Sequence, residues 1–386
     1  MKLKISIATT SRADYDQLFW LIRKINLSKR HTLDLIVSGS HLMKKYGKTV
    51  KKIKSDKLNF KKINLEIKND KQKDILSALS KGINKFANYL NLSKPHYLIL
   101  LGDRYEILSS AIAASFLNIP IIHLNGGELT LGAHDDWIRH CITKMSNIHF
   151  VANEVYKKRV IQLGEEPRNV YNTGGLSSDN VLKTKLIKKL EIERKFKIKF
   201  REKNILITYH PENFSKKNTE KSFDDLIHVT RHYKNVGFYF TFPNLDAGNK
   251  VIIKKIKKIC LKQKNCKYFF SLGRIKYLSL LKNCDLILGN SSSGLLEAPY
   301  LGTYTLNIGD RQEGRLRANT VFDCVKDVKT IKKKIDIIFK LIKNGKKKKK
   351  TNLKKYYGDG QSAEKMFRII NSLKIKYNKK KFFYDI

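Results

Sequence analysis

Lysine is missing from two stretches of an otherwise lysine-laden chain. Lys and Arg together number 79 against 34 Asp and Glu in 386 residues, yet residues 95–143 and 283–325 contain no lysine. The first stretch includes LGDRYE and HLNGGELTLGAHDDWIRH; the second includes GNSSSGLLEAP and NIGDRQEGRLRA. Burial alone excludes lysine, but it selects Leu, Val and Ile in its place. These stretches keep Asn-Gly-Gly-Glu and Asn-Ser-Ser-Ser-Gly instead. Polar groups set in a packed frame need partners, so each stretch reads as a polar site.

Other shortages narrow the function classes. Acidic residues are scarce enough to leave a formal charge of +45. Such a charge fits nucleic acid, an anionic membrane surface or acidic substrates. It also fits a lysine bias spread over solvated helix faces, because the lysines are dispersed and thin out where a site would concentrate them. A nucleic-acid protein gathers its basic residues at its binding motif. The five cysteines (Cys141, Cys260, Cys266, Cys284, Cys324) are odd in number and form no Cys-x-x-Cys pair. Neither a disulfide framework nor a zinc site is indicated, and reduced thiols in a cytoplasmic protein are expected. The first residues carry too short an apolar run for a signal peptide, and no run of about 18 apolar residues predicts a membrane span. Neither GxxxxGK[ST] nor GxGxxG occurs.

With 41% hydrophobic residues, the chain is long enough for two ordinary domains at about 150 residues each. Strand-like runs at 4–8, 33–37, 97–101 and 119–124 alternate with helical patterns at 14–24, 74–90 and 111–116. This alternation predicts a parallel sheet with crossover helices. The pattern restarts after a charged stretch, 183–203, with strands expected at 204–209, 237–242, 285–289 and 303–308. The expected fold class is α/β: two doubly wound Rossmann-like domains with an interdomain cleft, where strand carboxyl ends meet helix amino ends. The boundaries expected are 1–180, completed by the C-terminal helix 360–386, and 200–358. From Lys326 the tail reads as a lysine-rich helix, and the run 346–350 as a solvated loop.

Four groups of residues carry candidate chemistry. Thr9-Thr10-Ser11-Arg12-Ala13-Asp14 follows the first strand; its hydroxyls suit a helix cap, and free amides with Arg12 would suit a phosphate. Asn290-Ser291-Ser292-Ser293-Gly294 follows DLILG and opens a helix, a phosphate cradle with Glu297 placed for ribose hydroxyls. Arg311, Arg315 and Arg317 would offset phosphate charge. Asp103 ends one strand beside Arg104, and Glu128 follows the next strand. Asp135 and Asp136 begin a helix containing Arg139 and His140. Carboxylates with separated pKa values divide acid and base roles. The bland alternatives are an ion pair of Asp103 with Arg104 or Arg139, helix caps for Asp135 and Asp136, and a solvated loop for Glu128. His210 closes the strand 205–209 in Tyr-His-Pro, as a proton shuttle or a structural histidine. The His and carboxylate spacing fits no standard metal set.

Taken together, TSRADYD, LGDRYE, GGELTLGAHDDWIRHCITKMSNIHF, RVIQLGEEP, YHPE, FPNLDAG, SLGRIKYLSLL, GNSSSGLLEAP, NIGDRQEGR and YGDGQSA resemble, in order over residues 5–365, the hydrolysing UDP-N-acetylglucosamine 2-epimerase family. That family feeds sialic and legionaminic acid synthesis. The resemblance implies a GT-B-like fold with nucleotide bound mainly by the second domain. A base takes the C2 proton of the sugar, the nucleoside diphosphate leaves C1 to give a glycal, and water adds with inversion at C2. The product is a free manno-configured sugar, N-acetylmannosamine from UDP-N-acetylglucosamine. No metal, nicotinamide or other cofactor is implied. The partner is a small-molecule nucleotide sugar rather than nucleic acid or membrane, and a homodimer is implied. By motif position, Asp103 and Asp135 match catalytic acids, and His210 matches the His of the His-Pro motif. Arg12, Ser291, Ser292, Glu297 and Arg311 match nucleotide contacts. Arg104 and Asn125 join the substrate-binding set. Many members carry Glu where this chain has Asn125, so either Glu128 takes the acidic role or Asn125 meets a different sugar substituent. N,N'-diacetylbacillosamine on UDP or GDP is therefore the rival substrate. A GT-B glycosyltransferase and a basic nucleic-acid-binding protein are the remaining alternatives.

Overall fold

The computed structural model describes residues 2–43, 48–69, 71–130, 134–211, 216–243, 248–270, 272–344, 353–374 and 380–386, without the side chains of 216–219. The lysine run 346–350, and parts of the motifs at 131–133, 212, 244–247 and 271, lie outside them. The chain divides into two compact units. The first comprises Met1–Glu128, His134–Asn180 and Tyr357–Ile386; the second comprises Leu129–Ala133 and Val181–Tyr356.

Seven strands form the sheet of the first unit: β1 (Leu3–Thr9), β2 (His31–Ser38), β3 (Lys61–Ile63), β4 (Tyr97–Leu101), β5 (Ile121–Leu124), β6 (Ile148–Val151) and β7 (Val170–Asn172). Their order is β3-β2-β1-β4-β5-β6-β7, with every adjacent pair parallel. In β4 every residue is buried, as an apolar run in a sheet covered on both faces requires. Its side chains alternate between two cores. Tyr97, Ile99 and Leu101 join Leu18, Leu21 and Ile25 of the helix Arg12–Leu27, and Met366 and Ile370 of Ser362–Ser372. Leu98 and Leu100 join Phe86 and Leu90 of Gln72–Ser93. Each such buried side chain contributes about 1.5–3 kcal/mol.

The second unit repeats the plan with β8 (Lys203–Thr208), β9 (Val236–Thr241), β10 (Cys266–Phe269), β11 (Leu286–Gly289), β12 (Tyr304–Ile308) and β13 (Val321–Cys324). Their order is β10-β9-β8-β11-β12-β13, again all parallel. Two doubly wound α/β units are thus present.

Local departures from the sequence reading have simple causes. β5 starts at Ile121 rather than 119 because Pro120 has no N–H to pair; its carbonyl instead accepts from Leu98. The charged stretch 183–203 is not a bare joint: it holds the helix Lys189–Phe196, whose Ile192 and Phe196 are buried. Ser293 does not open one continuous helix; the chain makes two single turns, Ser293–Leu296 and Ala298–Leu301.

Residues 380–386 bring Lys381 to a buried polar cluster of the first unit. Its Nζ lies 2.7 Å from Glu165 Oε2, and His149 Nε2 lies 2.9 Å from the same oxygen. Burial pushes the His149 imidazole below its usual pKa, against the pull of Glu165.

Candidate functional site

In a doubly wound sheet, ligands meet the carboxyl ends of the strands where the order reverses. That point lies between β1 and β4 in the first unit and between β8 and β11 in the second.

In the first unit, β1 runs into a tightly capped helix. Asp14 accepts from the Thr10 and Ser11 amides, each at 2.7 Å, and from both hydroxyls. The anion expected at these amides is therefore supplied by the chain itself, which corrects the reading of a free cradle. Arg12 begins the helix and is half-buried. Beneath it, His41 bridges Thr9 Oγ1 at 3.1 Å and Thr49 Oγ1 at 2.8 Å. Burial pushes the His41 pKa down, with Asp14 pulling it back up. The preceding Gly39 sits at φ +57, and a Cβ there would lie 2.7 Å from the Thr10 carbonyl oxygen.

β4 ends at Leu101, and Gly102 after it, at φ +81, delivers Asp103 to Arg139. Arg139 is 1% exposed, and its guanidinium gathers three groups. Nη2 donates to Asp103 Oδ2, Nη1 donates to the Glu128 carbonyl at 2.7 Å, and Asp136 Oδ1 lies 3.8 Å from Nη1. The ion-pair alternative for Asp103 is thus realised with Arg139. Arg104 turns instead to Glu106, at 3.2 and 3.3 Å. Glu106 is fully buried, and burial raises its pKa against the opposing pull of Arg104.

Glu128 is 3% exposed, which overturns the solvated-loop alternative. Asp135 and Asp136 occupy the first turn of Asp135–Met145; the cap position is His134, which makes no side-chain capping bond. Asp136 also faces His140 Nε2 at 3.7 Å, and burial lowers the His140 pKa. Asn125 sits at φ +65, and its amide donates to the Phe150 carbonyl. Asn commonly adopts this left-handed conformation. In its place, another side chain would meet backbone strain as well as altered chemistry.

In the second unit, Gly289 ends β11 at φ +137, and a Cβ there would lie 2.1 Å from the Thr208 carbonyl oxygen. This close approach brings Asn290 beside His210. The Asn290 side chain accepts from the His210 amide at 2.7 Å and donates to the His210 carbonyl at 2.9 Å. The Asn290 carbonyl in turn receives Arg311 Nη1 at 3.1 Å and Gln312 Nε2 at 2.9 Å. Ser291 and Ser292 follow, half-buried. Tyr277 donates to Ser293 Oγ at 2.7 Å, and Ser293 donates to Glu297 Oε2 at 2.5 Å. Arg315 and Arg317 are committed to protein partners: Arg315 reaches Gln312 Oε1 at 2.9 Å and the Leu129 carbonyl at 3.3 Å, and Arg317 pairs with Asp323 at 2.6 Å.

Each unit therefore gathers its own candidates. Asp103, Glu128 and the helix of Asp135 meet through Arg139, while His210, Ser291 and Arg311 meet through Asn290. Sequence reasoning missed His41, Glu106, His123, Asn290 as a clamp, and Gln312. Glu106, His123, Asn290 and Gln312 stand inside the lysine-free motifs, and that was their available signal; His41 does not. Among the described residues, no group of three His, Cys, Asp or Glu could hold a metal, and no helix is long and apolar enough to cross a membrane.

Comparison with known proteins agrees with this architecture. A solved UDP-GlcNAc 2-epimerase from Neisseria meningitidis, bound to UDP-GlcNAc, superposes with a TM-score of 0.79 at 18% identity, over 97% of this chain and 100% of that one. This likeness establishes the GT-B-like fold. The hydrolysing GDP/UDP-N,N'-diacetylbacillosamine 2-epimerase of Campylobacter jejuni is 40% identical over 83% of this chain and 84% of its own length. Polysialic acid biosynthesis protein P7 of Escherichia coli is 40% identical over 86% of this chain and 85% of its own. A family model described as UDP-N-acetylglucosamine 2-epimerase matches residues 23–371. With that span and those identities, the chain belongs to the UDP-N-acetylglucosamine 2-epimerase family.

Proposed function

We propose that this protein is a hydrolysing nucleotide-sugar 2-epimerase that converts UDP-N-acetylglucosamine to N-acetylmannosamine and UDP. The observation that carries the reading is the Asp103 carboxylate, delivered at the end of β4 and clasped by the buried Arg139, which also takes the Glu128 carbonyl. A carboxylate so fixed can serve as a base without reorganising. Asp103, Glu128 and Asp135 handle protons at the sugar. One removes the C2 proton as the C1–oxygen bond to the diphosphate breaks; the resulting glycal takes water at C1 and a proton on the opposite face of C2. His210 meets the leaving group. Ser291, Ser292, Arg311 and Glu297 hold the nucleotide, with Arg12, Arg104 and Asn125 completing the substrate contacts. The product feeds sialic-type acid synthesis, a reading supported by the Escherichia coli relative's name. Two copies of the chain form the working unit.

A second reading keeps the reaction and changes the sugar to N,N'-diacetylbacillosamine on UDP or GDP. It is favoured by the Campylobacter jejuni relative's name and by Asn125, an amide where a carboxylate would stand.

The test is incubation in heavy water with UDP-N-acetylglucosamine and, separately, with UDP- and GDP-linked diacetamido sugars. Free sugar deuterated at C2 together with nucleoside diphosphate supports the reaction, and the substrate turned over decides the sugar. Release of nucleotide without C2 exchange overturns it in favour of plain hydrolysis, and transfer to an acceptor in favour of a glycosyltransferase. Asp103→Asn and Asp135→Asn are expected to lose turnover while still binding nucleotide.

A further inference from the structure

His123, on β5, is buried on every side and belongs to none of the roles above. Its Nε2 lies 2.8 Å from the Gly102 carbonyl oxygen, and its Nδ1 lies 3.1 Å from Thr143 Oγ1. The chemistry of the partners fixes the tautomer. A carbonyl only accepts, so Nε2 carries the proton; Nδ1 then accepts from the threonine hydroxyl. Burial holds this imidazole down to a pKa of about 3, so it stays neutral at working pH.

The two partners belong to the elements that make the Asp103–Arg139 pair. Gly102 precedes Asp103, and its left-handed φ of +81 sets the direction in which Asp103 leaves β4. Thr143 lies one helical turn beyond Arg139 on Asp135–Met145. The contacts close a ring: Gly102 carbonyl to His123, His123 to Thr143, one turn of helix back to Arg139, Arg139 to Asp103, and Asp103 to Gly102. Gly126 keeps the ring tight, since a Cβ there would lie 3.1 Å from Thr143 Oγ1 and 3.3 Å from His123 Nδ1.

We infer that His123 is a positioning residue for the proposed epimerase reaction: a neutral imidazole strut that spaces the Gly102–Asp103 turn from the Arg139 helix and so aims the Asp103 carboxylate. This inference rests on the proposed function for its kinetic consequence, though not for the strut itself. A bulk-filling core histidine would need only its volume. A strut needs a donor at the Nε2 position, which Gln can place there and Asn cannot.

The experiment compares wild type, His123→Gln, His123→Asn and Thr143→Val as full-length proteins, on whichever nucleotide sugar wild type turns over. His123→Asn is expected to lower kcat by about 100-fold with KM within about 3-fold, since a misplacement near 1 Å costs on that order. His123→Gln is expected to recover kcat to within about 5-fold, and Thr143→Val to lose about 10-fold by leaving Nδ1 without its donor and the ring untied from the Arg139 helix. Equal losses in Gln and Asn, wild-type kcat in Asn, or a change confined to KM would each overturn the inference. Nitrogen NMR of wild type gives a readout independent of turnover and of variant folding. A neutral ring protonated at Nε2 from pH 5 to 9 supports the strut; protonation at Nδ1 or at both nitrogens sinks it. If wild type turns over no nucleotide sugar, the proposed function falls while the tautomer still decides the strut.

Discussion

In the first unit, β1 and β4 end in Thr10-Ser11-Arg12 and Gly102-Asp103-Arg104; in the second, β8 and β11 end in Tyr209-His210 and Asn290-Ser291. The strand orders correspond one for one, apart from an extra edge strand in the first. The connections at the strand ends differ in kind. The first unit uses ionisable groups: Asp103 with Arg139, Glu106 with Arg104, and Asp14 over the Thr10 and Ser11 amides. The second uses amides and hydroxyls: Asn290 on His210, Gln312 on Asn290, and Thr208 on Thr241 at 2.7 Å. The strand ends are thus tied mainly by ion pairs and carboxylates in the first unit and mainly by amide and hydroxyl hydrogen bonds in the second. A buried charge is costly unless paired, whereas a buried amide needs only its bonds made. Damage to the two units should therefore differ in size and in its dependence on pH.

The largest expected effect is Arg139→Leu. It strands Asp103 and leaves the Glu128 carbonyl without that donor, a cost of about 3–5 kcal/mol for removing one side of a buried pair. Turnover should be lost, and the thermal midpoint of the first unit should fall. A variant with wild-type turnover would refute the charged wiring of this site. Next comes Gly289→Ala in the second unit, where the new Cβ meets the Thr208 carbonyl oxygen at 2.1 Å. About 2–3 kcal/mol is expected from strain and overpacking, measured by urea unfolding, with no change in the pH dependence of stability. A neutral result would show that the β8–β11 ends can part.

The smallest effect per step is the pH response. A histidine whose folded pKa lies below its unfolded value holds stability that is complete above about 6.5 and lost as pH falls towards the folded value. For His123 that window runs from about 6.5 down to about 3, at about 1.4 kcal/mol per pH unit. His149 and His41 are shifted in the same direction by burial. Amide exchange resolved by residue should show the first unit losing protection before the second as pH drops from 6.5 to 4. Simultaneous loss, or the reverse order, would break the comparison.

Much of this was legible. Strands such as 97–101 and 285–289 announce themselves because they are buried on both faces and carry no polar interruption. The edge strands β3, β7, β10 and β13 went unread: Lys61-Lys62-Ile63 and Cys266-Lys267-Tyr268-Phe269 look like loop when one face is solvated. The buried interior strand β6 also went unread, since its four residues include the polar His149. The lysine-free windows pointed to the ends of β4 and β11, but not to those of β1 and β8, which lie outside them. What they could not give was pairing. That Asp103 takes Arg139 rather than its neighbour Arg104, or that Asn290 reaches His210 eighty residues away in sequence, depends on strand order. Nor could spacing reveal that Asp14 would fill the amides a phosphate was expected to use.

The Asn290 clamp has a mechanical consequence. His210 lies two residues beyond the last residue of β8, yet both its N–H and its C=O are bonded sideways, as they would be inside a parallel ladder. A borrowed side chain thus extends the sheet by one rung at this point, and His210 takes on the stiffness of the sheet. Its backbone cannot swing to meet an incoming group. Any proton the ring passes must be reached by rotation about its own two side-chain torsions.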